Sequence, residues 1–165
     1  MDGVLLCERR LVSQQNKREV VMALTFKHCD GGKADAGLGT ARSGDCLIRA
    51  IAIAEQQGYR KTKAELNELL QAMTGGLERS CNNGTPVPVS HKYLIDRGYK
   101  LTLTANTYLK DHNFKGRRVI ASISRHSMAI VNGTVLDTWD SRQCRRTKCG
   151  SCLLYTSDAA DDVRG

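Results

Sequence analysis

The stretch "RRVIASISRHSMAIVNGTVLDTW" (residues 117–139) decides the fold. Two apolar, β-branched runs flank Asn132-Gly133, the strongest short hairpin signal, because both central positions of a type I′ turn need positive φ. With a two-residue turn there, Val131 faces Thr134, Met128 faces Asp137 and His126 faces Trp139. Side chains alternate between sheet faces, and cross-strand partners share one. Ser124, His126, Met128 and Ile130 therefore fall on the face that also carries Val135, Asp137 and Trp139. Asp137 becomes the diagonal neighbour of His126, with backbones ~7–8 Å apart and side chains within reach. A register one residue different would put them on opposite faces.

Upstream, the chain reads as helices. "REVVMALTFKH" (18–28) has strand composition, and "CDGGKADAGLGTARSGD" (29–45) is a Gly- and Asp-rich loop. In "ARSGDCLIRAIAIAEQQGY" (41–59) a helix starts near Cys46 and stops at Gly58, with Ser43 or Asp45 as cap. Apolar residues surround it on nearly all sides, so it is buried. A second helix opens on a capping box, Thr62 to Glu65, carries Leu66, Leu69, Leu70 and Met73 on one face, and closes at Gly75-Gly76. Ser90 caps a short third helix ending at Gly98, and "YKLTLT" (99–104) alternates like a strand. Helices first and antiparallel strands later make an α+β plan.

The 165 residues have room for one domain with a real core. Residues 1–20 read as an uncertain N-terminal extension and 21–150 as the domain. Residues 151–165 are set aside: "CLLYTSDAADD" (152–162) resembles a translated sequencing adapter, so an artefactual or disordered tail is expected, with the natural C-terminus missing. No apolar run approaches the roughly 20 residues of a spanning helix, so no membrane partner is expected. Seven cysteines and no visible export signal favour reduced thiols and a cytoplasmic location. The net charge of +8 is diffuse; its densest cluster holds Arg142, Arg145, Arg146 and Lys148. That cluster reads as a solvated face or as contact with nucleic acid or an acidic partner, with few aromatics for base stacking.

Cys46 is either a small hydrophobe or a thiolate at a helix N-terminus, where dipole and exposed N–H groups favour negative charge. A nucleophilic cysteine needs a base, and the base an orienting acceptor. His126 and Asp137 supply that order. The Cys46 amide would lead the oxyanion donors, Gly44 would let a carbonyl approach, and Asp45 would raise the thiol pKa unless it points outward or caps. Trp139 is a core anchor or a shield over the His–Asp bond. Arg49, on a buried helix, needs a carboxylate or carbonyl partner. His28 and Cys29 end a strand that can bring them to the active site, though neither has an argued partner, and His91 and His112 read as solvated. Cys149 and Cys152 form a lone CxxC near Cys144, with no four-ligand zinc closure, so no metal and no cofactor is expected.

"SGDCLIRAIA" (43–52) resembles the nucleophile motif of ovarian-tumour-type deubiquitinases, and the order Cys, His, Asp is shared with papain-like and transglutaminase-like enzymes. Residues 26–150 are also similar to short bacterial and phage proteins, largely uncharacterised, that are regarded as cysteine peptidases. The resemblance implies a papain-like α+β fold in which N-terminal helices carry the nucleophile and an antiparallel sheet carries His and Asp. It implies Cys46 as nucleophile, His126 as acid/base, Asp137 as orienter, and Ser43, Gly44 and Asp45 around the oxyanion. Ser43 departs from the family's usual Asp, and no Gln stands shortly upstream of Cys46. The expected activity is hydrolysis of an amide or isopeptide bond in a peptide or protein. Acyl transfer to an amine and a non-catalytic basic binding module are the alternatives.

Overall fold

The computed structural model describes residues 23–39, 44–78, 80–104, 108–123, 125–143 and 152–158. In chain order these form β1 (Thr25–His28), α1 (Cys46–Ala54), α2 (Tyr59–Thr74), α3 (Val87–Ile95), β2 (Lys100–Thr104), β3 (Arg117–Ile123), β4 (His126–Val131), β5 (Thr134–Asp137) and β6 (Cys152–Asp158). The strands make one mixed sheet in the order β1-β5-β4-β3-β6-β2. Only the edge pair β1–β5 is parallel among the described pairings. The plan is α+β, as expected.

The Asn132-Gly133 turn forms with φ of 49° and 80°, and Val131 faces Thr134 in the register read from the sequence. The run 117–131, however, is two strands. The backbone reverses through Arg125 (φ 69°), and Ile123 faces His126. His126 thus opens β4 beside a turn instead of lying within one long strand. Ser124, expected on the His126 face, lies outside the described residues.

The sheet is covered on both faces, which is why its inner strands are nearly continuously apolar. Ile120, Ala129 and Tyr155 pack with Leu47, Ile48, Ile51, Leu66, Leu70 and Leu94 of the helices. Val119, Ala121, Ile123, Met128, Ile130, Val135 and Leu154 pack on the other side with Leu109 and Phe114. α1 rests on β4, which brings the helix N-terminus to the strand's first residues.

Several local expectations change. Among the described residues, 152–158 is no tail: β6 runs between β3 and β2, and the folded unit extends past the boundary at 150. Adjacent Leu154 and Tyr155 suit a strand buried on both faces. α1 ends at Ala54, with Gln56 at φ 51°, and Gly58 instead precedes α2 as its cap. The Thr62–Glu65 capping box does not form, because α2 begins three residues earlier. Buried Thr62 donates its hydroxyl to the Gly58 carbonyl, 3.3 Å away, and Glu65 takes the Tyr93 hydroxyl and Arg97. Met73 is exposed, while Leu66 and Leu70 are fully buried. Ser90 sits inside α3, donating to the Val87 carbonyl at 2.9 Å; Pro86 is the cap. No described helix is long and apolar enough to cross a membrane.

Candidate active site

Cys46 is the first residue of α1 and is half-buried. The first turn of a helix leaves N–H groups without intrahelical acceptors, so its thiol lies among donors. Burial opposes ionisation of that thiol. A hydrogen bond with His126, the Ser127 backbone N–H, and the charges of His126 and Arg49 outweigh it, holding Cys46 below its ordinary pKa.

His126 Nε2 lies 2.6 Å from Asp137 Oδ2, leaving Nδ1 as the nitrogen that serves the sulfur. Burial would make the imidazole harder to protonate. The hydrogen bonds and charges of Asp137 and Cys46 reverse this and push its pKa up to about 9. Asp137 is buried, which alone would favour its neutral form; His126, the Ser141 hydroxyl and the Thr138 N–H hold it below the ordinary carboxylate range. The Thr138 N–H donates to Oδ1 at 2.7 Å. The fully buried Ser141 hydroxyl also lies 3.4 Å from Met128 Sδ, but a charged oxygen is the stronger acceptor, so its proton goes to Asp137. The Asp137 carbonyl accepts from the Cys29 N–H at 2.8 Å, which ties β1 to this end of β5.

Sulfur, imidazole and carboxylate are therefore linked in one chain, and the arrangement favours a thiolate–imidazolium pair. Trp139 is 46% exposed, which excludes a core anchor. Its ring lies 5.2 Å from the His126 ring at 45°, covering the residue that holds the proton.

Gly44 has the role of a close approach, and the structure shows that approach to be to protein. A Cβ there would meet the Asn83 carbonyl carbon at 2.7 Å and the Gly84 nitrogen at 2.9 Å. The 81–85 loop thus presses against the N-terminus of α1 and forms one wall of a cleft of about 450 Å³. Leu47, Val87, Ile123 and Leu153 make the cleft largely apolar, and Cys46, Arg125 and His126 line it too.

Asp45 neither points outward nor caps the helix through its side chain. It is 1% exposed, with Oδ2 3.0 Å from Lys33 Nζ and 2.6 Å from the Tyr59 hydroxyl. Arg49 lies 3.5 Å from Oδ1. Its charge is compensated inside the protein, which removes the expected penalty on the thiol. Ser43 lies outside the described residues.

Sequence reasoning missed Lys33, Tyr59, Ser141 and the Ser127 amide. A signal existed for the first: a buried Asp demands a cation, and the preceding loop carries one. Exposed His28 is the ladder partner of Asp137 and half-buried Cys29 follows it, so both stand at the edge of the site; the exposed His91 ring lies 6.2 Å from that of Tyr155, and His112 stacks on Phe114 at 5.8 Å. No described group of His, Cys, Asp or Glu has the makings of a metal site; Cys144 and Cys149, with the Cys152 side chain, lie outside what is described. Arg142 is engaged with Asp140 and the Leu24 carbonyl, and Arg145, Arg146 and Lys148 are not among the described residues. Compared with known proteins, the chain matches no family model, no curated protein and no solved structure.

Proposed function

We propose that this chain is a cysteine-dependent hydrolase with a papain-like arrangement, cleaving amide or isopeptide bonds in a peptide or protein. The observation that carries the reading is His126 bonded at once to the Cys46 thiol and, at 2.6 Å, to Asp137. The Cys46 thiolate attacks the scissile carbonyl, and first-turn N–H groups of α1 receive the developing oxyanion. His126 Nδ1–H passes its proton to the leaving amine as the C–N bond breaks, giving an acyl-enzyme. His126 then takes a proton from water, whose oxygen attacks the thioester and returns Cys46 as thiolate. Asp137 holds the ring orientation throughout and stabilises the imidazolium. A thiolate nucleophile works in a reducing compartment, so the cytoplasm is the proposed location.

Cleavage of a diverse peptide library, followed by mass spectrometry, tests the reading. New termini that vanish with Cys46→Ala and His126→Ala support it. Absence of cleavage together with absence of a trapped Cys46 thioester counts against it.

A further inference from the structure

Beside Cys46 in the chain, three elements meet on one buried carboxylate. Asp45 receives Lys33 from the loop after β1 (3.0 Å), Tyr59 from the first turn of α2 (2.6 Å) and Arg49 from α1 (3.5 Å). Arg49 also donates from its other terminal nitrogen to Thr138 Oγ1 at 3.3 Å, the residue after Asp137. Gly31 lets the loop close over it: a Cβ at that position would stand 2.9 Å from the Arg49 carbonyl oxygen. Arg49 follows Cys46 by three residues, on the same helix face.

We infer that Arg49 is a positioning residue, aimed by Asp45 and Thr138, that places a second cation beside the Cys46 sulfur and ties the nucleophile helix to the strand carrying Asp137. The inference rests on the reading of Cys46 as a thiolate. The sulfur faces His126 from β4, with Asp137 of β5 behind the ring; Arg49 follows three residues on in its own helix, and Arg125 from the turn before β4 lines the same cleft. Asp45 faces Lys33, Arg49 and Tyr59. In this arrangement Arg49 favours the thiolate, while Asp45 tempers Arg49. Removing each should therefore act with opposite sign.

The test is the pH dependence of Cys46 alkylation by iodoacetamide in the full chain, read by peptide mass spectrometry. Arg49→Met should move the acid midpoint up by about one pH unit, the size expected for loss of a nearby opposite charge. Arg49→Lys, which keeps the charge, should restore most of that shift. Asp45→Asn should move the midpoint down, and it carries the test if Arg49→Met does not fold. A purely structural cluster would alter melting temperature while leaving every midpoint in place, and that result overturns the inference, as do midpoints moving the same way in both variants. An ordinary thiol midpoint in the unaltered chain would overturn the hydrolase reading instead.

Discussion

Cys46 and Cys81 carry the same side chain in opposite surroundings. Cys81 is fully buried with its sulfur 3.8 Å from the Leu66 carbonyl, and burial raises its pKa. Cys46 meets an imidazole and an amide and lies within the field of the Arg49 charge, and its pKa falls. The coupled pair has a consequence for stability. Folded His126 has its pKa raised above 6.5 to about 9, so alone it would stabilise fully below 6.5 and lose that contribution as pH rises through its folded value. Cys46 is lowered from 9.0, so it stabilises above that value and loses this as pH falls through its folded pKa. Where Cys46 is ionised in the folded chain, and up to about 9, the folded pair holds one proton, on His126; between 6.5 and 9 the unfolded pair also holds one, on Cys46. The two effects cancel. Cys46→Ala leaves His126 raised by Asp137 alone, so its melting temperature should fall as pH rises from 6.5 through the variant's own, lower His126 pKa, a slope the unaltered chain lacks wherever the two effects cancel; thermal melts from pH 6.5 to about 9 check this. Trp139→Ala should leave the melting temperature within a few degrees, because the ring is half-exposed. It should still slow Cys46 turnover or alkylation several-fold, because the imidazole loses its cover. Equal rates in the two proteins would remove Trp139 from the site.

At the scale of elements, two close approaches set the cleft. Gly44→Ala should push the 81–85 loop away from α1, costing about 1–3 kcal/mol by overpacking and lowering peptide cleavage more than ten-fold. Gly31→Ala faces both a φ of 69° and the Arg49 carbonyl, and should cost stability of about 1–3 kcal/mol, measured by urea unfolding. The hairpin at Asn132-Gly133 was legible because turn chemistry and strand alternation agree there, and it put His126 and Asp137 on one face. The turn at Arg125 was not legible: a strand buried on both faces loses alternation, and no Gly, Asn or Asp marks the reversal. Helix caps were misread for a related reason. Thr62 and Ser90 resemble caps in sequence, but burial of Tyr59 and Val89 starts each helix earlier, and tertiary packing overrides the local signal. The ion-pair cluster around Asp45 joins three distant segments, which no local pattern encodes.

At the scale of the whole molecule, the sheet depends on a strand that its likeness to a translated adapter had set aside. β6 pairs along its full length with β3 and from Cys152 to Thr156 with β2, and Tyr155 is 1% exposed among the helices. A chain ending at residue 150 should therefore lose cooperative unfolding, seen as a broad or absent thermal transition by circular dichroism; a sharp transition near that of the full chain would mean β2 and β3 stand without it. What the sheet and helices jointly achieve is the meeting of α1's first residue with the first residue of β4 and the last of β5. The rate of Cys46 alkylation by iodoacetamide at about pH 6, set against Cys81 and Cys29 in the same molecules, tests that meeting most directly, since free thiols are almost wholly protonated there. The account predicts labelling of Cys46 at least ten-fold faster than either, falling to the common rate in His126→Ala. Equal labelling of the three thiols, or a Cys46 rate unmoved by loss of His126, would contradict it.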